Sequence, residues 1–269
     1  MTDSTNYVVT GVIGVPEYCA EILTPKKHEF ALVIPVINEN GRLTRQIARI
    51  VELSPQVDVI IADGGSTDGS TDPRLLAQLG VTAVLTKKGS GKLSAQLRMA
   101  IHFCLKSGYR GVLTMDGNGK DDVSGINAIV SALAEGFDFV QGSRFLPGGN
   151  AINTPLGRLL AIRLLHAPVT SISARHWYTD TTNGFRGHSR QLLEDADLHP
   201  LREVFDSYEL LAYIPIQASR LGFRITEVPV TRSYPPTGPI PTKIHGLSAH
   251  TRMWQILMKA ASGKYRPTK

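Results

Sequence analysis

The apolar run Val112–Met115 ends abruptly in Asp116, followed by Gly117, Asn118, Gly119, Lys120, Asp121 and Asp122. A carboxylate and an amide oxygen two residues apart are hard oxygen ligands. They suit Mg²⁺ or Mn²⁺ if water and diphosphate oxygens complete the coordination. Lys120, in the same loop, can offer positive charge to a phosphate directly. The competing reading is a strand that runs into a turn, since Gly and Asn are turn residues. Three further apolar runs end in the same way: one in PVINEN (35–40), one in ADGGSTDGS (62–70) and one in QGSRFLPGG (141–149). Four such endings point to one polar rim.

The elements between these loops explain how a rim could form. FALVIPVIN, VDVIIAD, VTAVLT, GVLTM and FDFVQG are strand-length runs of the kind buried on both faces of a sheet. Helical patterns separate them: Leu43, Ile47, Ile50 and Val51 before Pro55, then PRLLAQLG, KLSAQLRMAIHFCLKSG and VSGINAIVSALAEG. Strand and helix in alternation predict an α/β domain with a mostly parallel, Rossmann-like sheet flanked by helices. Ligands of such sheets bind outside the carboxyl ends of the strands. The second half is less regular, with helices predicted near LGRLLAIRLLH and EVFDSYELLAYIPIQASRLG, a strand at FRITEVPV and a last helix at GLSAHTRMWQILMKAAS. Residues 1–29 show no period and read as an irregular extension.

Composition narrows the partners. Residues 1–139 carry 13 basic and 15 acidic side chains, whereas residues 140–269 carry 16 and 8. From Leu210 onward nine basic residues face one acid, Glu227. That bias suits a lipid phosphate or an anionic membrane surface. Zinc-finger spacing and aromatic RNP-type strands are both missing, which excludes the usual nucleic-acid modules. No apolar run reaches the length of a membrane span, no signal peptide is evident, and Cys19 and Cys104 form no metal-type or disulfide pattern. The expected location is the cytoplasm, peripherally on the cytoplasmic face of a membrane. KKGSGK fails as a phosphate loop because Thr86 replaces the first Gly and Leu93 follows the Lys. DGNGKDD fails as a calcium loop because Asp121 stands where Gly is required.

Taken together, IPVINENGRL, VIIADGGSTDGS, GKLSAQLRMAI, LTMDGNGKDD, GSRFLPGG and DTTNGFRGHSR resemble successive blocks of glycosyltransferase family 2. The nearest subgroup is the dolichyl-phosphate mannose synthase-like enzymes, which move a sugar from a nucleotide diphosphate sugar to a polyprenyl phosphate. The likeness runs from about Phe30 to Lys243. It implies a GT-A fold over 30–245, with a nucleotide-binding half to about residue 145 and an acceptor-binding half from 146. A basic amphipathic helix over 246–269 would follow. Carried over by position, Pro35, Asn38, Glu39, Asp63, Lys92, Asp116, Gly117 and Asn118 would bind the nucleotide sugar. Asp116, Asp180 and Arg144 would be catalytic, and Arg144, Arg158, Arg232 and Lys243 would hold the acceptor phosphate. Asp116 and Asn118 would hold Mg²⁺ or Mn²⁺, with Asn118 in place of the second Asp of the D-x-D motif.

The resemblance implies inversion at the anomeric carbon. A phosphate acceptor, already ionised, needs cations rather than a base. A hydroxyl acceptor on a glycan or lipid-linked oligosaccharide would need a carboxylate, Asp180 or Asp122. A nucleotide-sugar-binding protein without turnover is a third reading, prompted by Asn118. A nucleotidyltransferase would want a Gly-rich, Arg-containing loop after the first strand, which PVINENGRL does not supply. Self-association or a membrane partner protein would be further ways to stay near a lipid acceptor.

Overall fold

The structure, a computed structural model, describes residues 5–237 and 246–267, with the side chains of 246–250 outside the description. In chain order the elements are β1 (Thr5–Val9), β2 (Tyr18–Ile22), β3 (Phe30–Val36), α1 (Gly41–Leu53), β4 (Val57–Asp63), α2 (Pro73–Gln78), β5 (Ala83–Lys87), α3 (Leu93–Lys106), β6 (Gly111–Thr114), α4 (Gly125–Ala134) and β7 (Phe139–Ser143). Then follow β8 (Asn150–Ile152), α5 (Leu156–Ala161), a π-helical turn (Ile162–His166), α6 (Ala167–Ala174), β9 (Arg186–Ser189), α7 (Arg190–Glu194), α8 (Glu209–Arg220), β10 (Ile225–Pro229), β11 (Thr231–Ser233) and α9 (Gly246–Ala261).

β3 shows why the apolar runs become central strands. Successive side chains of a strand point to opposite faces. Ala31 and Val33 pack on one side with Ile60 and Leu85, while Leu32, Ile34 and Val36 pack on the other with Ile61 and Val84. α3 covers the first face with Met99, Ala100 and Phe103, and α1 covers the second with Leu43, Ile47 and Ile50. A strand apolar at every position is therefore the consequence of two covered faces. Asp72 starts α2 by accepting from the backbone N–H of Arg74 at 2.8 Å, with Pro73 at the first helical position.

The main sheet has nine strands in the order β1-β2-β5-β4-β3-β6-β9-β7-β10, with β2 and β9 running against the rest. Two features depart from the sequence reading. Residues 5–22, expected to be irregular, add β1 and β2 to the edge beside β5. The block DTTNGFRGHSR contributes β9, which separates β6 from β7. Arg186, Gly187, His188 and Ser189 have no strand-like composition. The buried Arg186 guanidinium donates to the carbonyls of Thr181, Asn183 and Leu211 and holds the segment there. α9, expected as a basic amphipathic helix, buries Ile256, Leu257 and Ala260 in the core. Among the described residues no helix is long and apolar enough to cross a membrane.

Candidate functional site

The loops after β3 and β4 are stitched together. Asn38 Oδ1 accepts from the Thr67 N–H at 2.8 Å, and Asp68 Oδ2 accepts from the Asn40 N–H at 2.7 Å. Asp63 holds its own loop, its Oδ1 accepting from the Ser66 N–H at 2.9 Å and the Ser66 hydroxyl at 2.7 Å. Glu39 is buried and pairs with Arg42 at 3.1 Å. Pro35 lies in β3 beside the start of the Asp116 loop. A Cβ on Gly117 would sit 2.6 Å from Val36 Cγ1 and 3.3 Å from the Pro35 carbonyl oxygen, so only glycine allows the loop to pass so close. Lys92 is exposed at the start of α3, where its backbone N–H donates to the Asp206 carbonyl.

The segment 116–122 is clamped from two directions. Gln46 of α1 donates to the Asp116 carbonyl at 3.0 Å and accepts from the Gly119 N–H at 3.0 Å. On the other side, the Ser233 N–H donates to the Lys120 carbonyl and the Asp122 N–H donates to the Thr231 carbonyl. β11 thereby delivers Arg232, which is 6% exposed, between two carboxylates. Its guanidinium donates to Asp116 Oδ2 at 2.7 Å and to Asp121 Oδ2 at 2.5 Å. Arg232 is thus a buried partner of the D-x-N motif rather than a charge on a solvated loop. Burial opposes its charge, but Asp121 and Asp116 outweigh that and raise its pKa. Burial also pushes the Asp121 carboxyl up, against the pull of Arg232. For Asp116 burial is outweighed by the Arg232 and Lys120 charges, which hold the carboxyl below its usual range.

A second cluster adjoins the first. The Tyr234 ring lies 5.2 Å from Lys120 Nζ and 5.6 Å from the Arg158 guanidinium, and Arg158 donates to the Tyr234 hydroxyl at 3.0 Å. Burial and the neighbouring Arg232 charge bring the Lys120 ammonium down to about 8, against Asp116, Tyr234 and Asp121. Arg144 and Asp180 are brought into direct contact with each other. Arg144 Nε donates to Asp180 Oδ2 at 2.6 Å and Nη2 donates to Oδ1 at 2.9 Å. The pair is buried, and the Arg144 hydrogen bond and charge overcome desolvation to keep the Asp180 carboxyl low. Asp180 also accepts from the Thr182 N–H at 3.2 Å and is poorly suited to accept a proton. Lys243 lies outside the described residues.

Asp116 and Asn118 have the donor types for a hard divalent cation held largely by a ligand's own phosphates, and here Asn118 Nδ2 donates to Asp116 Oδ2 at 3.3 Å. Asp116 Oδ1 faces Gly184, where an added Cβ would come within 3.0 Å of it, so glycine keeps that side open. Asn118 supplies an amide oxygen that accepts from the Lys120 N–H at 3.2 Å. No group of three or more His, Cys, Asp or Glu able to cage a metal occurs among the described residues. Mg²⁺ needs no such cage when one carboxylate and phosphate oxygens serve it. Gln46 and Tyr234 are site residues that sequence reasoning did not select. Tyr234 had a weak signal in its position two residues after Arg232, and Gln46 had only its place on a helix that follows the first polar loop.

Comparison with known proteins bears on this geometry. Residues 31–196 match the family model described as Glycosyl transferase family 2. The chain is 28% identical over 205 residues to a polyprenol monophosphomannose synthase of Mycolicibacterium smegmatis, covering 74% of this chain and 76% of the relative. It is 28% identical to an undecaprenyl-phosphate mannosyltransferase of Micrococcus luteus, covering 74% and 81%. Among solved structures, glucosyl-3-phosphoglycerate synthase from Mycobacterium tuberculosis, in complex with Mn²⁺, UDP and phosphoglyceric acid, superimposes with a TM-score of 0.62. That likeness is at 17% identity and covers 89% of this chain and 80% of the other.

Proposed function

Since the chain belongs to glycosyl transferase family 2 and is a glycosyltransferase of the GT-A fold, we propose that it moves a sugar from a UDP- or GDP-sugar to a polyprenyl phosphate with inversion at the anomeric carbon. One observation carries the acceptor reading: Lys120, Arg158, Arg232 and Tyr234 converge beside Asp116. An ionised phosphate acceptor needs cations to bring it near a second polyanion, and this cluster offers them without a base. The names of the mannosyl-transferring relatives support the same acceptor class.

In the transfer, an acceptor phosphate oxygen bonds to the anomeric carbon as the bond to the donor diphosphate breaks. The nucleoside diphosphate departs with the electron pair. Asp116 and Asn118 would hold a divalent cation, which neutralises the diphosphate when bound. Lys120 and Arg232 would meet the growing charge of the leaving group and the charge of the acceptor. The stitched loops of Asn38, Asp63 and Asp68 form the floor for the nucleotide, with Pro35, Glu39 and Lys92 around them. Asp180, locked to Arg144, orders the loop over the donor sugar, and that engagement weighs against a hydroxyl acceptor.

The test is incubation with a panel of UDP- and GDP-sugars and short polyprenyl phosphate, with Mg²⁺, with Mn²⁺ and with chelator. A phosphate-linked sugar product is expected, and Asp116→Ala should lower kcat by roughly 10²–10³. Transfer to a hydroxyl with no lipid-phosphate product would overturn the reading.

A further inference from the structure

α5, the π-helical turn and α6 form one continuous helical stretch that leaves large apolar side chains in solvent. Leu156 is 68% exposed, Leu164 66%, Ile172 76% and Trp177, just beyond the helix, 70%. Surface apolar residues are ordinary singly, but a run of them along one element marks an interaction surface. Its charge is equally one-sided: between Asp138 and Asp180 the chain holds four arginines and no acidic residue. The Arg158 end of the stretch touches Tyr234 of the candidate site.

At the other end three helices converge. Arg175 follows α6, Arg220 closes α8 and Arg266 lies beyond α9, and together with Ala174 and Ser219 they line a cleft of about 390 Å³. Arg220 is held in place by donating to the carbonyls of Ser173 and Ala261, near the carboxyl ends of α6 and α9. The helix dipoles account for its presence. They leave the exposed Arg175 and Arg266 unexplained, and no carboxylate pairs with any of the three among the described residues. Burial, then the charges of Arg266 and Arg175, lower the Arg220 pKa, as expected where like charges face one shared space.

We propose that the Arg175–Arg220–Arg266 cleft binds the phosphate headgroup of an anionic lipid while Ile172, Trp177 and the exposed leucines of α5 and the π-turn enter the bilayer interface. Basic residues beside exposed leucine and tryptophan are the chemistry of an interfacial helix. An acidic protein partner would match the arginines but gives no reason for so many exposed apolar side chains beside them. Docking by this ridge sets the Arg158 end, and with it the candidate site, at the membrane surface. α9 is anchored in the core through Ile256 and Leu257, and it exposes Trp254 (41%) and Met258 (45%) less than the ridge exposes Leu156, Leu164, Ile172 and Trp177.

The experiment is flotation of the full chain with phosphatidylcholine vesicles, with and without roughly a third phosphatidylglycerol, at low salt, alongside calorimetric donor binding as the check on folding. The chain should float with the anionic vesicles and far less with the neutral ones. Arg175→Asn, chosen because Asn tolerates the left-handed backbone at φ 58, combined with Arg266→Gln, should weaken partition about 30-fold. Ile172→Ser with Trp177→Ser should weaken it independently. In a Trp254→Phe chain the remaining Trp177 should shift its emission to the blue on anionic vesicles. Absence of flotation by the wild-type chain would overturn the inference, as would unchanged partition of both double variants. Saturation of the cleft by glycerol phosphate without any flotation would make it a site for a free phosphate and overturn the lipid assignment. Flotation requires no catalysis, so failure here leaves sugar transfer standing, and failure of sugar transfer leaves the docking surface standing.

Discussion

Replacing Arg232 by Met should separate the structural from the chemical role of the site. Arg232 is almost fully buried and bridges Asp116 and Asp121 through contacts of 2.7 and 2.5 Å. Asp121 is 1% exposed, and its Oδ1 already lacks a hydrogen-bond partner. Removing the guanidinium would leave that carboxylate uncompensated, at a cost of about 3–5 kcal/mol. At about 2.1 cal/mol/K of unfolding entropy per residue, a chain of this length would melt roughly 5–9 °C lower. Asp121→Asn in the same chain should restore most of that loss by removing the buried charge. Activity should stay depressed by roughly 10²–10³ in both variants, because the cation near the diphosphate is still missing. Calorimetric melting and steady-state transfer, run on the two single variants and the double variant, complete a double-mutant cycle. The sign with pH is also defined. In Arg232→Met the folded-state pKa of Asp121 rises further above its unfolded value, so stability lost at neutral pH should return as the carboxyl is protonated on acidification. A melting shift under about 2 °C, or a double variant no more stable than Arg232→Met, would refute the assignment of Asp121 as a carboxylate charged and held by Arg232.

Lys120, held to about 8, should be about half neutral at pH 8 in the free protein, and an incoming diphosphate should draw a proton onto it. Donor binding at that pH should therefore take up about half a proton, measured by calorimetry in buffers of different ionisation enthalpy, and affinity should fall as pH rises further. Arg144→Lys keeps the charge but loses the two-pronged contact with Asp180, so stability should fall by about 2 kcal/mol in a denaturant titration. Tyr234→Phe removes the hydroxyl that accepts from Arg158, and KM for polyprenyl phosphate should rise roughly tenfold with KM for the nucleotide sugar unchanged. Equal changes in both KM values would show that Tyr234 serves the donor instead.

Much of this architecture is legible because it is locally encoded. The runs that become β3, β4, β5 and β6 are mainly apolar since both faces are covered, β7 opens on Phe139 and Val140, and the helices between them carry their period and their stops. The polar ends of those strands stand out because four of them finish in the same way, where turn chemistry alone would account for one or two. β9 was not legible: Arg186-Gly187-His188-Ser189 becomes a strand through buried hydrogen bonds to carbonyls elsewhere, not through propensity. The edge strands β1 and β2 were equally hidden, because pairing defines them, β2 with β5 and β1 with β2.

The sequence by itself determined a mostly parallel α/β sheet, a rim of polar loops and the presence of Asp116 and Asn118 on that rim. Only the tertiary structure decided which charges meet there. Arg144 and Asp180, which position alone made two separate catalytic candidates, are one buried pair. Arg232, a basic residue in a Pro-rich region, sits on the carboxylate of Asp116 because β11 pairs with β8 and hydrogen-bonds to the 116–122 loop. Periodicity and turn chemistry report the conformation of neighbouring residues, whereas an ion pair that closes 116 positions of chain depends on strand order and register, which no local pattern carries.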